Sequence, residues 1–199
     1  MLKELFISDV RIKMLRLFLL ESDMERGVHV REITRKVGTE INAVRRELDR
    51  LMAIKMLKRE ERGNRVYYVL RDDFPLKAEL LGLLIKEDGF ASQIIKQSKK
   101  LGQISFAIIS KEFVHGDESK GSEVDLFFVG KINEYEVESL IKEEEARRKV
   151  AINVSFLSED EFEYMKSKKE PFVISILTRP YYMLIGDDVE FSQISRKAA

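Results

Sequence analysis

A change in apolar spacing between residues 41 and 70 constrains the fold of this 199-residue chain more than any other feature. The first part has the period of one helix face, with apolar residues at Ile41, Val44, Leu48, Leu51 and Met52. Two extended runs follow, 56–62 and 65–70, and the second is rich in β-branched and aromatic residues. Because Gly63-Asn64 separates these runs, the sequence predicts a helix ending near Ile54 and then a β-hairpin.

Two further helices are predicted before this one. Ser8 can cap a helix over residues 9–21, and a short helix is expected over residues 31–37. Gly38 ends the short helix, and Thr39 is the candidate N-cap of the helix that follows. The order of helix, short helix, turn, helix and hairpin is that of a helix-turn-helix with a wing.

The formal charge is balanced over the whole chain but not along it. The sequence contains 35 basic and 35 acidic residues, so its formal net charge is zero. Residues 31–65 nevertheless carry eleven basic and six acidic side chains, a local excess of five positive charges. Such segregation is typical of a nucleic-acid-binding surface, although a charge run is also an ordinary property of a solvated helix face.

The polar face of the helix near residues 41–54 has the chemistry needed to read DNA. Arginine bonds guanine through two donors and asparagine bonds adenine, and a helix fits the major groove of B-DNA. A wing tipped by basic residues can lie along the phosphate backbone. The residues predicted to contact DNA are Arg31, Arg35, Thr39, Asn42, Arg45, Arg46, Arg50, Arg62, Asn64 and Arg65. The alternative is an ordinary helical bundle with a surface hairpin.

Residues 28–70 also resemble a known family. The segments VREITRKVG, AVRRELDRLMAIKMLKRE and GNRVYYVL are similar to the winged-helix domain of small prokaryotic transcriptional regulators of the ArsR-like type. The resemblance implies that the helix beginning near Thr39 is the recognition helix and that GNRVYY forms the tip and return strand of the wing. It further implies a homodimer that binds double-stranded DNA. The metal-sensing cysteines of some such regulators have no counterpart, because the chain contains no cysteine.

The rest of the chain predicts a helical joint and an α/β domain. We expect a winged helix-turn-helix domain over 1–72, a helical linker over 73–102 and a second domain over 103–199. The linker carries an apolar stripe of Leu76, Leu80, Leu83 and Leu84, which is a candidate dimer seam or a face that packs on the second domain. Strands are predicted over 104–110, 123–130, 150–157 and 181–185, and helices over 133–149, from Ser158 onward and over 171–177. The expected fold class is α+β or α/β.

Residues 106–130 resemble the core motif of minimal nucleotidyltransferases. Ser122 and Asp125 match the second half of that motif, and Gly116 matches its turn glycine. In the family, paired carboxylates on one strand face bind two Mg²⁺ ions that carry nucleotidyl transfer. Glu123 stands where the first aspartate is expected, and its longer side chain misplaces a ligand in an octahedral Mg²⁺ site.

Other positions depart further from the nucleotidyltransferase pattern. Lys111-Glu112 replace the glycine-serine pair that holds the triphosphate, and His115 stands where a basic residue is usual. The third carboxylate is absent from 150–157, where Asn153 is the nearest polar residue. The resemblance therefore implies a degenerate domain with no catalytic residue, in which Glu123 and Asp125 are remnants, and with no metal or cofactor. The closing segment PYYMLIGDDVEF resembles the end of regulators that fuse a winged helix to such a domain.

Together these observations predict a two-domain cytoplasmic transcription regulator. Its second domain would serve for dimerisation or would sense a nucleotide or small-molecule effector. No apolar run approaches the roughly 20 residues that span a bilayer, so no membrane partner is expected. Two alternatives stay open. The second domain could be an active nucleotidyltransferase acting on a protein or small molecule, or the chain could be the antitoxin-like partner of a toxin nuclease.

Overall fold

The computed structural model describes residues 2–21, 26–115 and 123–193. The chain is a mixed α and β protein with a three-stranded sheet and a four-stranded sheet, which confirms the predicted mixed class. It divides into two compact units, Met1–Glu87 and Asp88–Ala199. Within the described residues, no helix combines the length and the apolar character that crossing a membrane requires.

The first unit contains five helices and a three-stranded sheet within its described residues. The elements are α1 (Leu2–Phe6), α2 (Asp9–Leu20), β1 (Val28–His29), α3 (Val30–Val37), α4 (Ile41–Ala53), β2 (Leu57–Arg62), β3 (Arg65–Leu70) and α5 (Lys77–Glu87). The strand order is β1-β3-β2, and both pairings are antiparallel. Arg62 pairs with Arg65 across the turn at Gly63-Asn64, so the predicted hairpin is confirmed.

The helix ends of this unit follow mostly from local capping. The Ser8 side chain accepts a hydrogen bond from the backbone N–H of Arg11 at 3.2 Å, as expected of an N-cap. Gly38 ends α3 in the left-handed conformation, with φ of 65°, and donates its N–H to the carbonyl of Thr34. The prediction of Thr39 as N-cap of α4 was wrong. Glu40 holds that position with extended backbone, because the left-handed turn at Gly38 needs one more residue before the chain can turn helical.

The core of the first unit is built from the apolar periods seen in the sequence. Ile33, Val44, Leu48 and Met56 have no exposed surface, and they come from α3, α4 and the approach to β2. Burial of these faces leaves the polar faces of α3 and α4 in solvent. The geometry of the exposed face therefore follows directly from the helical period.

The predicted helical linker is divided between the two units. Helix α5 belongs to the first unit, whereas α6 (Gly89–Lys96) and α7 (Ser98–Leu101) belong to the second. The buried face of α5 is formed by Leu81, Leu84 and Ile85, so Leu84 is the one residue of the predicted stripe that is buried. Of that stripe, Leu76 and Leu83 are 55% and 41% exposed.

The second unit surrounds a mixed four-stranded sheet. After α6 and α7 it contains β4 (Gly102–Ser110), α8 (Lys111–His115), β5 (Leu126–Ile132), α9 (Glu134–Arg148), β6 (Val154–Leu157), α10 (Glu159–Ser167), α11 (Pro171–Thr178), β7 (Tyr181–Ile185) and α12 (Asp188–Ser192). The strand order is β6-β5-β4-β7. Strands β5 and β6 are parallel and joined by α9, and the other two pairings are antiparallel.

Several predictions for this unit are confirmed, and others differ. Asn133 caps α9, and Ser158 and Glu161 form the expected capping box at α10. Strands β5 and β6 begin three and four residues later than predicted. Directly before the two strands, Asp125 donates its N–H to the carbonyl of Asn153 at 2.8 Å. The predicted loop after β4 begins with the short helix α8. Gly116, Ser122 and most of the polar tail lie outside the described residues.

Candidate nucleic-acid interface

One groove in the first unit gathers many of the residues predicted to bind DNA. It has a volume of about 880 Å³ and lies between α3, α4 and the hairpin. Its lining comprises His29, Val30, Arg31, Glu32, Arg35, Ile41, Arg45, Asn64, Arg65 and Tyr67. The fold therefore brings together residues that are up to 38 positions apart in sequence.

Four arginines in this groove make no side-chain ion pair with any described residue: Arg31, Arg35, Arg45 and Arg65. All four are exposed. Arg31 and Arg35 are four residues apart on α3, so they lie one helical turn apart. Ile33 and Val37 occupy the buried face of this helix, which leaves both arginines in solvent. Glu32 is the acidic residue of the described lining, so the groove carries an excess of positive charge. A surface of this kind attracts anions, since its charges are not compensated from within the described part of the unit.

The exposed face of α4 extends this basic surface beyond the groove. Asn42, Arg45 and Arg46 are exposed at spacings of three and four residues, which places them on one side of the helix. Arg46 makes no ion pair with the described part of the chain. Arg50, one turn further on, donates to the Glu47 carboxylate at 3.1 Å and is 62% exposed. Thr39 is half-buried and precedes the helix.

Arg62 at the wing is held by the protein itself. Its guanidinium donates to Glu60 at 2.6 Å and to the backbone carbonyl of Arg26 at 2.6 Å. It also lies over the ring of Tyr67, 5.1 Å from the ring centre. Lys58 and Arg62, which both lie against the Glu60 carboxylate, hold the pKa of that group below its ordinary value. The predicted wing arginines thus differ, because Arg65 lines the groove whereas Arg62 is bound within the hairpin.

Two residues that position this surface were missed in the sequence. Glu47 is only 2% exposed on the core side of α4, and it forms salt bridges with Arg11 of α2 and with Arg50. His29 caps α3, because its Nδ1 accepts the backbone N–H of Arg31 at 3.2 Å, and its ring meets Tyr67 edge-on. A glutamate inside the apolar stripe of α4 was the signal for the first of these. The place of His29 directly before a predicted helix was the signal for the second.

The two predicted remnant carboxylates lie together in the second unit. Asp125 is 2% exposed, and its Oδ2 accepts the backbone N–H of Asn153 at 2.9 Å. Its carbonyl accepts the N–H of Ser110 at 2.8 Å, so Asp125 ties the ends of three strands. Glu123 forms a salt bridge with Arg179, with 2.9 Å between Oε2 and Nη2. Both carboxylates are therefore engaged by the protein.

These carboxylates line a cavity of about 240 Å³. Its walls are formed by Ile108, Ser110, Glu123, Val124, Asp125, Phe127, Phe172, Ser175, Ile176, Arg179, Pro180 and Tyr181. Among the described residues, no group of three histidine, cysteine, aspartate or glutamate side chains could hold a metal ion. With Glu123 paired to an arginine and Asp125 bonded to backbone, these residues do not fit the two-Mg²⁺ site of the nucleotidyltransferase motif. The side chain of His115 lies outside the described residues.

The chain matches no protein-family model and no curated protein. A crystal structure of human N-acetylserotonin methyltransferase in complex with SAM is similar over 61% of this chain and 37% of that chain. The sequence identity is 16% and the TM-score is 0.32, so this likeness carries no argument about fold or function.

Proposed function

We propose that the chain is a winged-helix transcription regulator that binds double-stranded DNA through α3, α4 and the β2–β3 wing. The observation that carries the proposal is a set of four arginines from these three elements that line one groove and make no side-chain ion pair with any described residue. A gathered set of positive charges that the described residues do not neutralise attracts an external anion. Duplex DNA supplies one negative charge about every 1.7 Å of its axis.

The proposed roles follow from where each side chain lies. Helix α4 enters the major groove, so that Asn42, Arg45 and Arg46 on its exposed face meet base edges. Arg31 and Arg35 on α3, together with Arg65 on the wing, meet phosphates on either side. In this arrangement base contacts supply specificity, and phosphate contacts supply affinity and register.

The paired arginines contribute less to DNA affinity in this proposal. Arg50 and Arg62 already have carboxylate partners, Glu47 and Glu60. To contact phosphate, each must exchange one ion pair for another, so the net gain is smaller than for an unpaired arginine. Exposed pairs contribute about 0–1 kcal/mol, so this exchange remains possible but brings little affinity.

For the second unit we propose a degenerate nucleotidyltransferase-like domain that senses an effector or supports dimerisation. Engagement of Glu123 by Arg179, and of Asp125 by the backbone of Asn153, supports a role other than metal binding. The cavity that these residues line is the candidate effector site.

We propose that the regulator is a homodimer whose seam includes the outer face of α5. Leu76 and Leu83 on or beside that helix are exposed apolar side chains, and Leu80 is half-buried. Sedimentation of the full chain tests this. Leu83→Glu is expected to shift the protein to a monomer at micromolar concentration, whereas Leu20→Glu, at another exposed leucine, is not. A wild-type chain that sediments as a monomer contradicts the seam.

A DNA titration tests the regulator proposal itself. The wild-type chain is titrated with a fragment from its own upstream region and with an unrelated duplex of equal length, each at two salt concentrations. We expect tighter binding to the upstream fragment and a steep loss of affinity with salt. Absence of binding to either duplex at low salt contradicts the proposal and favours the enzyme and antitoxin alternatives.

A further inference from the structure

His29 lies where β1 passes into α3, and its side chain lines the groove of the first unit. Val28 beside it is buried, and these two residues pair with Tyr68 and Tyr67 of β3. The imidazole ring meets the Tyr67 ring edge-on, with 6.3 Å between the ring centres. Strand pairing and the ring contact therefore hold this imidazole beside the arginines of the groove.

The cap of α3 decides which ring nitrogen of His29 carries the proton. The backbone N–H of Arg31 donates to Nδ1 at 3.2 Å. A nitrogen that accepts this bond must offer a lone pair, so in this arrangement the ring is neutral and its proton is on Nε2. An imidazolium donates from both nitrogens and could not form this cap. The ring is thus a hydrogen-bond donor at Nε2 without being a cation.

The Nε2 donor of His29 makes no hydrogen bond with any described residue. Within the described part of the chain, Oε2 of Glu112 is the one buried side-chain nitrogen or oxygen atom without a hydrogen-bond partner. Since Nε2 of His29 also lacks such a partner and yet is not among the buried atoms, it is open to solvent. It is therefore available to a molecule that enters the groove.

The surroundings of this donor favour an anion. The N-terminus of α3, which His29 caps, carries the partial positive charge of the helix dipole. Glu32 is the acidic residue of the described groove lining. Four arginines share that lining: Arg31, Arg35, Arg45 and Arg65. An anionic oxygen drawn in by these charges is a suitable acceptor for the Nε2–H group.

We infer that His29 contacts a backbone phosphate of duplex DNA as a neutral donor, through its Nε2–H group. The inference rests on the proposed DNA-binding function and adds to it a contact of a different kind from those of the arginines. A hydrogen bond to a charged acceptor is stronger than one between neutral groups. A neutral donor releases no counterion from DNA, so its contribution to affinity lacks the salt dependence of an arginine contact.

The first test separates the donor from the cap. His29→Ser keeps a side-chain cap, since serine is a favoured N-cap residue, but it removes the ring donor. We expect affinity for the specific duplex to fall about tenfold, with the slope of log affinity against log salt unchanged. His29→Ala removes the donor and the cap, so it should show the same loss of affinity and a lower thermal stability than His29→Ser. Gln103→Ser, at an exposed neutral residue of β4, is the matched control and should leave affinity unchanged.

Nitrogen NMR tests the position of the proton without DNA. The sequence contains two histidines, His29 and His115, so His115→Gln leaves one imidazole to observe. At about pH 8, where an ordinary histidine is neutral, we expect a protonated Nε2 and an unprotonated Nδ1. Addition of the specific duplex should shift the Nε2 signal and leave the proton on that nitrogen.

Three results would overturn the inference. Wild-type affinity in His29→Ser would make His29 a cap only, and a proton on Nδ1 would exclude the donor. A smaller salt slope in His29→Ser would show that the residue meets DNA as a cation. The failure of the regulator proposal has a different pattern, because the wild-type chain would then bind no duplex at low salt. Tight wild-type binding with equal affinity in His29→Ser refutes this contact alone.

Discussion

The groove of the first unit and the cavity of the second unit treat their charged residues in contrasting ways. In the groove, four arginines from three elements make no ion pair with the described residues. In the cavity, Arg179 is paired with Glu123 and Asp125 is bonded to backbone. Unpaired cations in a large open groove suit a polyanion that approaches from outside. The smaller cavity holds charges that the protein itself already engages.

The largest effect on DNA affinity is expected from removing the two arginines of α4 that are proposed to contact bases. Arg45→Ala combined with Arg46→Ala should reduce affinity for the specific duplex about a hundredfold or more, because each base contact contributes about 1–3 kcal/mol. Both side chains are exposed, so thermal stability should not change. The control is Lys99→Ala with Lys142→Ala, which removes two exposed charges from the second unit and should alter affinity by less than threefold. Equal losses in both double variants would contradict base reading by α4.

The buried carboxylate of Glu47 tests how the helix that carries the basic face is held in place, because it pairs with Arg11 of α2 and with Arg50 of α4. Glu47→Ala should lower the free energy of unfolding by about 2 kcal/mol, since it leaves Arg11 partly buried without its carboxylate. Chemical denaturation measures this. Glu40→Ala, at an exposed position with no side-chain cap hydrogen bond, is the control and should change stability by less than about 0.5 kcal/mol. Similar values for the two variants would show that the buried pair does not hold α2 and α4 together.

Glu144 is a buried glutamate of the second unit. The pH dependence of stability tests whether its bonds to Arg147 and Arg148 stabilise the fold. Burial of Glu144 raises its pKa, but hydrogen bonds from Arg147 and Arg148 outweigh burial, so the pKa lies below the ordinary value of 4.5. A carboxyl with a lowered folded-state pKa stabilises the fold above its unfolded-state pKa, and this stabilisation is lost as pH falls through the folded-state value. Denaturation of Glu144→Gln should therefore show a smaller loss of stability below pH 4.5 than wild type. Glu143→Gln, at the exposed neighbour, should follow the wild-type curve.

The smallest expected effect concerns the wing. Glu60→Gln removes the carboxylate that holds Arg62 and lies beside Lys58, so both cations become available to phosphate. DNA affinity should rise severalfold at low salt, and the gain should shrink at higher salt. Glu61→Gln is the control. It also removes one negative charge from the wing, but Glu61 pairs with Arg59 rather than with Arg62, so it tests whether the loss of any negative charge has the same effect. No gain in Glu60→Gln would mean that Arg62 stays bound to the Arg26 carbonyl and the Tyr67 ring.

Local features of the sequence predicted most of the first unit. The helical period of α4 and the Gly63-Asn64 turn are written in neighbouring residues, and so the helices and the hairpin were placed within a few positions. The cap at Glu40 was missed, because the number of residues in the turn after Gly38 depends on backbone geometry rather than on residue type. Helix α8 was also missed, since residues 111–115 were predicted as part of a loop.

Pairings between distant residues could not be predicted from the sequence. Arg11 and Glu47 are 36 positions apart, and Glu123 and Arg179 are further apart still. No periodicity links such residues, so the sequence could count the arginines near the wing but could not separate Arg65 from Arg62. Only the assembly of α3, α4 and the hairpin separates the arginines that pair with a described residue from those that do not.

The salt dependence of DNA binding in three single variants tests the central claim most directly. Removing a phosphate-contacting arginine should lower the slope of log affinity against log salt by about 0.9. We predict this reduction for Arg35→Ala and Arg65→Ala, whose side chains are unpaired among the described residues, and a much smaller one for Arg62→Ala, which is held by Glu60. Identical slopes in the wild type and all three variants would contradict the assignment of this groove to DNA.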